Sequence, residues 1–179
     1  MDYKLKDDII CCTRTDDGLI TLVAPWSVNT PEDDTLEWFH TDKQIIRLDD
    51  FSFVFEDDPR VLGNVKQRKL AELVAAFDEH VAGSFETSHG YHMQFDTSDA
   101  IKMEGAIKLL ETTGATEGYL TQADDTTVYH VPLDTMKAVL IEMMTAFAAC
   151  HARKQELRAA IKAAKTVEEL DAIEITWPL

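Results

Sequence analysis

The chain has 179 residues, of which 33 are acidic and 17 basic, so its formal net charge is −16. This balance argues against binding to nucleic acid or anionic lipid, because polyanions are bound by clustered lysine and arginine. Apolar residues make up 45% of the sequence, which indicates a folded globular protein. No apolar run approaches the ~20 residues of a membrane-spanning helix, and the N-terminal residues lack the apolar core of a signal peptide. The negative charge therefore indicates solubility at high local concentration, a cationic partner, or mimicry of nucleic acid.

The three cysteines are Cys11, Cys12 and Cys150. Neighbouring cysteines rarely form a disulfide with each other, because that bond strains the peptide between them. An odd number also leaves at least one thiol free. The sequence therefore indicates a protein made in a reducing cytoplasm, with its thiols buried as small apolar groups.

Residues 1–62 are predicted to form a β-rich module. Two apolar runs, 9–13 and 19–23, flank Asp-Asp-Gly at 16–18, which is a strong hairpin signal. The polar stretch at 29–34 is expected to be an exposed loop. Two more strands are predicted at 45–48 and 51–55.

In the last of these strands Phe51, Phe53 and Phe55 share one face, and we expect that face to be covered. Beyond Gly63 the apolar period changes from two to 3.6 residues. We therefore expect the domain boundary near Gly63, with residues 1–62 as a possible docking module and 64–179 as an α+β domain.

The second domain is predicted as helix, hairpin, helix, hairpin and long helix. The first helix is expected to begin at an Asn64 cap, bury the stripe Leu70, Leu73, Val74, Phe77 and Val81, and end near Gly83. Hairpins are expected at 85–95 and 119–131. The helix between them should be capped by Asp96 or Thr97, should contain Met103, Ile107 and Leu110, and should end at Gly114.

The long helix is predicted from about Leu133 to Lys165, followed by a short helix that a Thr166 capping box begins. Its apolar residues keep an a/d heptad register over four heptads, interrupted by Lys154. A helix of this length outruns a compact domain. Part of the stripe must therefore pack on the chain's own helices or on a partner chain. The residues predicted as a subunit interface are Met136, Leu140, Met143, Phe147, Cys150, Leu157 and Ile161.

Residues able to carry chemistry are few. His89 and His92 are close in sequence, but no further metal ligand lies near them, so a packed or solvated turn is favoured over a metal site. Cys150 and His151 are adjacent on a helix, point about 100° apart and cannot form a nucleophile–base pair. No hydrolase, zinc-protease or phosphate-binding motif occurs. We therefore expect no catalytic residues, no cofactor and no metal.

The stretch from about Gln67 to Ile173 resembles a domain of uncharacterised function found toward the C-terminus of tail and tail-fibre proteins of tailed bacteriophages and prophages. The resemblance rests on the order and spacing of several segments: KLAELVAAFD at 69–78, GSFETSHGYHM at 83–93, GAIKLLETTG at 105–114, YHVPL at 129–133, RKQELRAAI at 153–161 and TVEEL at 166–170. It implies a structural virion protein that is made in the host cytoplasm, resides in the tail and binds other tail proteins. Because phage fibres are commonly trimeric, it also implies a homo-oligomer, with three subunits as the expected number.

Three alternatives to a virion component stay open at the level of sequence. A tail-fibre assembly chaperone that is absent from the virion would have the same features. An acidic inhibitor that mimics DNA would need carboxylates regularly spaced on one face, whereas these lie largely in loops and at strand ends. A small hydrolase or nuclease has the least support, because the acidic clusters are not accompanied by a basic groove for nucleic acid.

Overall fold

The computed structural model describes residues 2–3, 9–14, 19–25, 36–37, 39–40, 44–124 and 126–178. The chain forms two compact units, Met1–Arg68 with Lys165–Val167 and Lys69–Ala164 with Glu168–Leu179. Helices and short, mainly antiparallel strands are both present, which confirms the predicted α+β class. None of the helices in the described ranges is long and apolar enough to cross a membrane.

The first unit contains a seven-stranded sheet of order β4-β1-β2-β3-β7-β6, in which β5 also pairs with β2. The predicted hairpin is confirmed, because β2 and β3 pair antiparallel with Cys12 opposite Val23. Its turn at 16–18 and the predicted loop at 29–34 lie outside the described residues. The strands are β1 (Asp2–Tyr3), β2 (Ile9–Arg14), β3 (Ile20–Pro25), β4 (Leu36–Glu37), β5 (Phe39–His40), β6 (Ile45–Arg47) and β7 (Phe53–Phe55).

The predicted covered face of three phenylalanines is wrong for Phe51 and for Phe53, which lies in β7 but is exposed. Phe51 departs furthest. Phe51 lies in the turn before β7 with φ of 70°, and its ring is exposed beneath the guanidinium carbon of Arg47 at 4.6 Å. Phe55 packs against the buried side chain of Ile20. Val54 is fully buried on the opposite face of the strand. A tight turn, rather than strand alternation, therefore decides where Phe51 points.

Helix α1 (Pro59–Ala82) begins five residues before the predicted Asn64 cap. The side chain of Asp58 accepts a hydrogen bond from the Arg60 N–H at 2.8 Å, so Asp58 is the N-cap and Pro59 occupies the first helical position. The Asn64 amide oxygen instead accepts the N–H of Asp49 at 3.0 Å. The helix continues through Gly63 without a break, and the proposed independence of residues 64–179 stays a prediction.

In the second unit the predicted hairpins and helices are present. They are β8 (Ser84–Glu86), β9 (His92–Gln94), α2 (Thr97–Thr113), β10 (Glu117–Thr121), β11 (Val128–Pro132), α3 (Leu133–Ala163) and α4 (Val167–Asp171). The side chain of Asp96 caps α2 by accepting the Asp99 N–H at 2.8 Å, and Gly114 ends the helix in the left-handed conformation.

The core of this unit lies between α3, α2, the end of α1 and the two hairpins. Its buried members include Phe77, Phe95, Ile107 and Leu120. Of the stripe predicted for α1, Leu73, Phe77 and Val81 are buried, whereas Val74 is exposed.

Candidate functional site

A serine and a glutamate join the β8–β9 turn to helix α3. The carboxylate of Glu142 accepts hydrogen bonds from the N–H of Ser88 at 2.7 Å and from its hydroxyl at 2.6 Å. His89 Nδ1 lies 3.2 Å from the Ser88 hydroxyl and 3.4 Å from Glu142 Oε1. The hydrogen bond from the Ser88 hydroxyl lowers the pKa of Glu142, so the carboxylate is ionised at neutral pH.

This cluster has the residue types of a serine hydrolase but not the geometry. In a catalytic relay one imidazole nitrogen takes the serine proton while the carboxylate holds the other nitrogen. Here the hydroxyl and the carboxylate both face Nδ1 of His89, and the Ser88 hydroxyl is within bonding distance of Glu142 itself. The arrangement holds a turn against a helix.

The other candidate nucleophile is Cys150. Its side chain is fully buried, and burial raises the pKa of the thiol, which disfavours the reactive thiolate. The adjacent His151 is exposed and its ring stacks on Phe147 with centroids 6.0 Å apart. Within residues 19–20, 44–124 and 126–178, no three His, Cys, Asp or Glu side chains lie close enough to hold a metal ion.

In the described residues of the two hairpins, one main-chain hydrogen bond joins them. The Ala123 N–H donates to the His92 carbonyl at 2.9 Å, and the Gln122 side-chain oxygen accepts the His92 N–H at 2.9 Å. Because both main-chain groups of His92 face this junction, they point away from β8. Strand alternation places the main-chain groups of Gln94 on the same side.

The free edge of β10 can be assigned from the hydrogen bonds at the two ends of its hairpin. The Gln122 N–H donates to the Thr127 carbonyl at 2.9 Å, and the Leu133 N–H donates to the Thr116 carbonyl at 2.8 Å. The register between them is regular. Alternation therefore points the main-chain groups of Tyr119 and Thr121 away from β11.

A cleft of about 310 Å³ opens along this edge. Helix α2 lines one side through Asp99, Lys102 and Ala106, and β10 lines the other through Tyr119 and Thr121. Asp99 and Lys102 form an ion pair of 2.8 Å, which cancels their charges. The floor consists of four methionines, all of them buried: Met93, Met103, Met136 and Met143.

Large apolar side chains are exposed around the cleft and on the long helix. Tyr119 is 69% exposed and its ring lies 4.9 Å from that of His130. On α3, Ile141 and Met144 are exposed as well. Ile141 and Met144 are three residues apart and share one face of the helix, and contiguous apolar faces are the surfaces that suit binding to other proteins.

The residues predicted as a subunit interface lie in the interior of the single chain. Met136, Met143, Cys150, Leu157 and Ile161 are buried, and Leu140 and Phe147 pack against the core of the second unit. Val139 and Ala146 are buried too, which widens the stripe beyond positions a and d into the broad face of a globular helix. A subunit contact through these residues would compete with the chain's own core.

The comparison with protein families finds one match within the second part of the chain. A family model described as a domain of unknown function, DUF4376, matches residues 64–175. The chain belongs to this family. The matched residues contain the Ser88–Glu142 contact and all of the cleft, and they agree with the resemblance to a domain of uncharacterised function over residues 67–173. Searches of curated proteins and of solved structures find no match.

Sequence reasoning missed both Glu142 and the cleft. Glu142 is separated from Ser88 by 54 residues, and nothing in the local pattern of α3 links the two. The six methionines of the chain were the one available signal, because four of them line the cleft floor.

Proposed function

We propose that this chain is a non-enzymatic structural component of a bacteriophage tail, a tail-fibre or fibre-attachment protein that acts by protein–protein assembly. The observation that carries the proposal is the ordered resemblance of residues 67–173 to a domain of phage tail proteins. On this proposal the protein is made in the host cytoplasm, resides in the virion tail and binds other tail proteins, as a homo-oligomer with three subunits as the expected number.

Two features of the DUF4376 domain support an assembly role over an enzymatic one. Ser88, His89 and Glu142 are arranged as a structural contact, and the Cys150 thiol is buried. The exposed Tyr119, Ile141 and Met144 offer apolar surface to a partner protein. The charge of −16 keeps the protein off nucleic acid and membranes and keeps it soluble during assembly.

A tail-fibre assembly chaperone is the second candidate, because exposed apolar groups beside a cleft also suit transient binding of an unfinished fibre. An acidic mimic of DNA is the third, and it depends on the net charge alone.

Particle composition tests the proposal. Virions of the encoding phage or prophage are purified by density gradient, and the protein is quantified by mass spectrometry against a known tail protein. A fixed stoichiometric ratio is expected. Presence in infected cells but not in virions would indicate the chaperone. Normal tails and normal adsorption in a deletion mutant would exclude both, and copurification with a host nucleic-acid enzyme would indicate the DNA mimic.

A further inference from the structure

We infer that the cleft between α2 and β10 binds an extended peptide segment of another protein, which adds as a strand to β10, places one large apolar side chain on the methionine floor and carries basic residues on its flanks. Such a segment would bind whether or not the chain resides in a phage tail, because the contacts depend only on the groups that line the cleft.

The main chain of β10 supplies the first part of the recognition. Tyr119 and Thr121 point their N–H and C=O groups out of the hairpin, and no partner for these groups occurs in the described part of the chain. A peptide strand pairs with such an edge at about 4.8 Å and satisfies the donors and acceptors together. Helix α2 lies opposite, so the peptide would be held between a strand edge and a helix.

The methionine floor supplies the second part. Met93, Met103, Met136 and Met143 lie beneath the strand edge and are at least nine-tenths buried, so a bound side chain reaches them by displacing their flexible ends. Thioether side chains are unbranched and polarizable, so they adapt to apolar groups of different shapes. In a strand bound to β10, alternate side chains would face this floor. The cleft therefore selects one large apolar residue, with tolerance for which one it is.

Charge supplies the third part. Glu117 and Asp124 lie at the two ends of the exposed edge, and the Thr127 hydroxyl lowers the pKa of Asp124 to about 2, so its carboxylate is ionised at neutral pH. The second unit carries 18 acidic and 8 basic residues, a net charge of −10. Basic residues on both sides of the apolar anchor are complementary to this field.

A second copy of this chain fits the cleft less well than a peptide. A second copy carries the same net charge of −10 in this unit, so it repels the acidic ends of the edge that basic flanks would attract.

The test uses the full chain and defined peptide pools. One pool has random sequences with lysine at both ends and a fixed central leucine, and the matched pool has glutamate at both ends. Peptides retained by the immobilised wild-type protein are identified by mass spectrometry. The most enriched peptide is then titrated by fluorescence anisotropy, and amide hydrogen exchange is measured with and without it.

Two pairs of variants localise the binding. Ala106→Phe fills the cleft from α2, and its control is Ala148→Phe at an exposed alanine of α3 outside the cleft. Thr121→Pro removes the N–H that points outward from β10. Its control is Val128→Pro, because Val128 lies opposite Thr121 and points its N–H out of the other edge of the hairpin. Circular dichroism verifies folding, and Ala106→Phe decides the result if either proline variant fails to fold.

We expect enrichment from the lysine pool and slower exchange of the Tyr119 and Thr121 amides. Affinity for the peptide should fall by about tenfold or more in Ala106→Phe, which loses the anchor site, and in Thr121→Pro, which loses one hydrogen bond. In the two controls it should change less than about twofold. No enrichment from either pool, equal enrichment from both, or equal effects of variants and controls would overturn the inference. Dimers of the wild type that Thr121→Pro abolishes would assign the edge to a second copy and would overturn it too.

Discussion

The ammonium group of Lys154 lies 3.8 Å from the centre of the Phe77 ring. The Lys154 side chain is only 12% exposed and stands in the middle of the apolar stripe of α3. In a coiled coil, a lysine at such a position sets the register between chains. Here its charge is accommodated within one chain by an aromatic ring of α1, with Asp78 Oδ1 3.9 Å away.

Replacing this lysine should therefore weaken the chain's own fold. We expect Lys154→Met to lower the free energy of unfolding by about 1 kcal/mol, because the cation–π contact is lost while the apolar stem is kept. Urea denaturation of Lys154→Met, Phe77→Leu and the double variant measures the coupling. Lys108→Met, at an exposed site of α2, should have little effect. A more stable Lys154→Met protein with a changed oligomer number would instead identify a register-setting lysine.

Two glycines should respond to alanine in opposite directions. A Cβ on Gly118 would lie 2.6 Å from Leu110 Cδ1 and 2.6 Å from Met136 Sδ, so both side chains would have to move. We expect Gly118→Ala to cost about 1–3 kcal/mol of stability by overpacking. Gly105 lies in α2 with open space around it, and Gly105→Ala should add about 0.5–1 kcal/mol. Thermal denaturation measures both, and a loss at Gly105 would contradict this packing.

The contact between Ser88 and Glu142 should make stability depend on pH. The pKa of Glu142 is lowered in the folded protein from its ordinary value of 4.5, chiefly by the hydrogen bond from the Ser88 hydroxyl. The folded state therefore gains stability above the pKa of the unfolded chain and loses it as the pH falls through the lowered pKa. Glu142→Gln should cost about 1 kcal/mol at neutral pH and progressively less in acid.

Denaturation of wild type and variant over a pH series measures this difference. Glu104→Gln, an exposed residue of α2, is the control and should differ from wild type at no pH. A deficit of Glu142→Gln that stays constant down to strongly acid pH would mean that the charge of Glu142 does not contribute.

The oligomer prediction can be tested on two faces of α3. Phe147 packs against Phe77 with ring centroids 5.9 Å apart, so Phe147→Asp should destabilise the single chain by about 3 kcal/mol or more. Met144 is exposed, so Met144→Asp should leave stability within about 0.5 kcal/mol. Light scattering then reports assembly. If folded Met144→Asp gives a smaller particle than the wild type, the contact between subunits includes Met144. A wild type that stays monomeric at high micromolar concentration would exclude a contact between subunits.

The start of α1 makes a prediction about fragments. Residues 64–179 expressed alone should melt cooperatively if they form an independent domain. Residues 58–179 should melt about 3–8 °C higher, because they keep the first helical turn and its Asp58 cap. Asp58→Ala in the longer fragment should remove part of that gain. Equal melting of the two fragments would show that the first turn adds nothing, and a molten product would show that the first unit completes the core.

The cap of α2 and the turn before β7 illustrate what could be predicted. Asp96 and Gly114 bound α2 as expected, because caps depend on residues within a few positions in the chain. The predicted Asn64 cap was wrong because Asp58, six residues upstream, already begins the helix. The predicted burial of Phe51 was wrong because a local turn overrides strand alternation. Two local signals of similar strength can favour different structures for the same residues, and the sequence pattern does not show which structure forms.

By itself the sequence determined the α+β class, the two hairpins of the second unit, the extent of α3 and the membership of a domain family, because these depend on apolar period and short-range turn chemistry. Only the tertiary structure decided that the stripe of α3 is core, that Glu142 holds the Ser88 turn, and that Tyr119 and Thr121 border a methionine-floored cleft. Each of these joins residues far apart in the chain. Which apolar face meets which partner is decided by packing of the whole domain, and that choice is not encoded in any one segment.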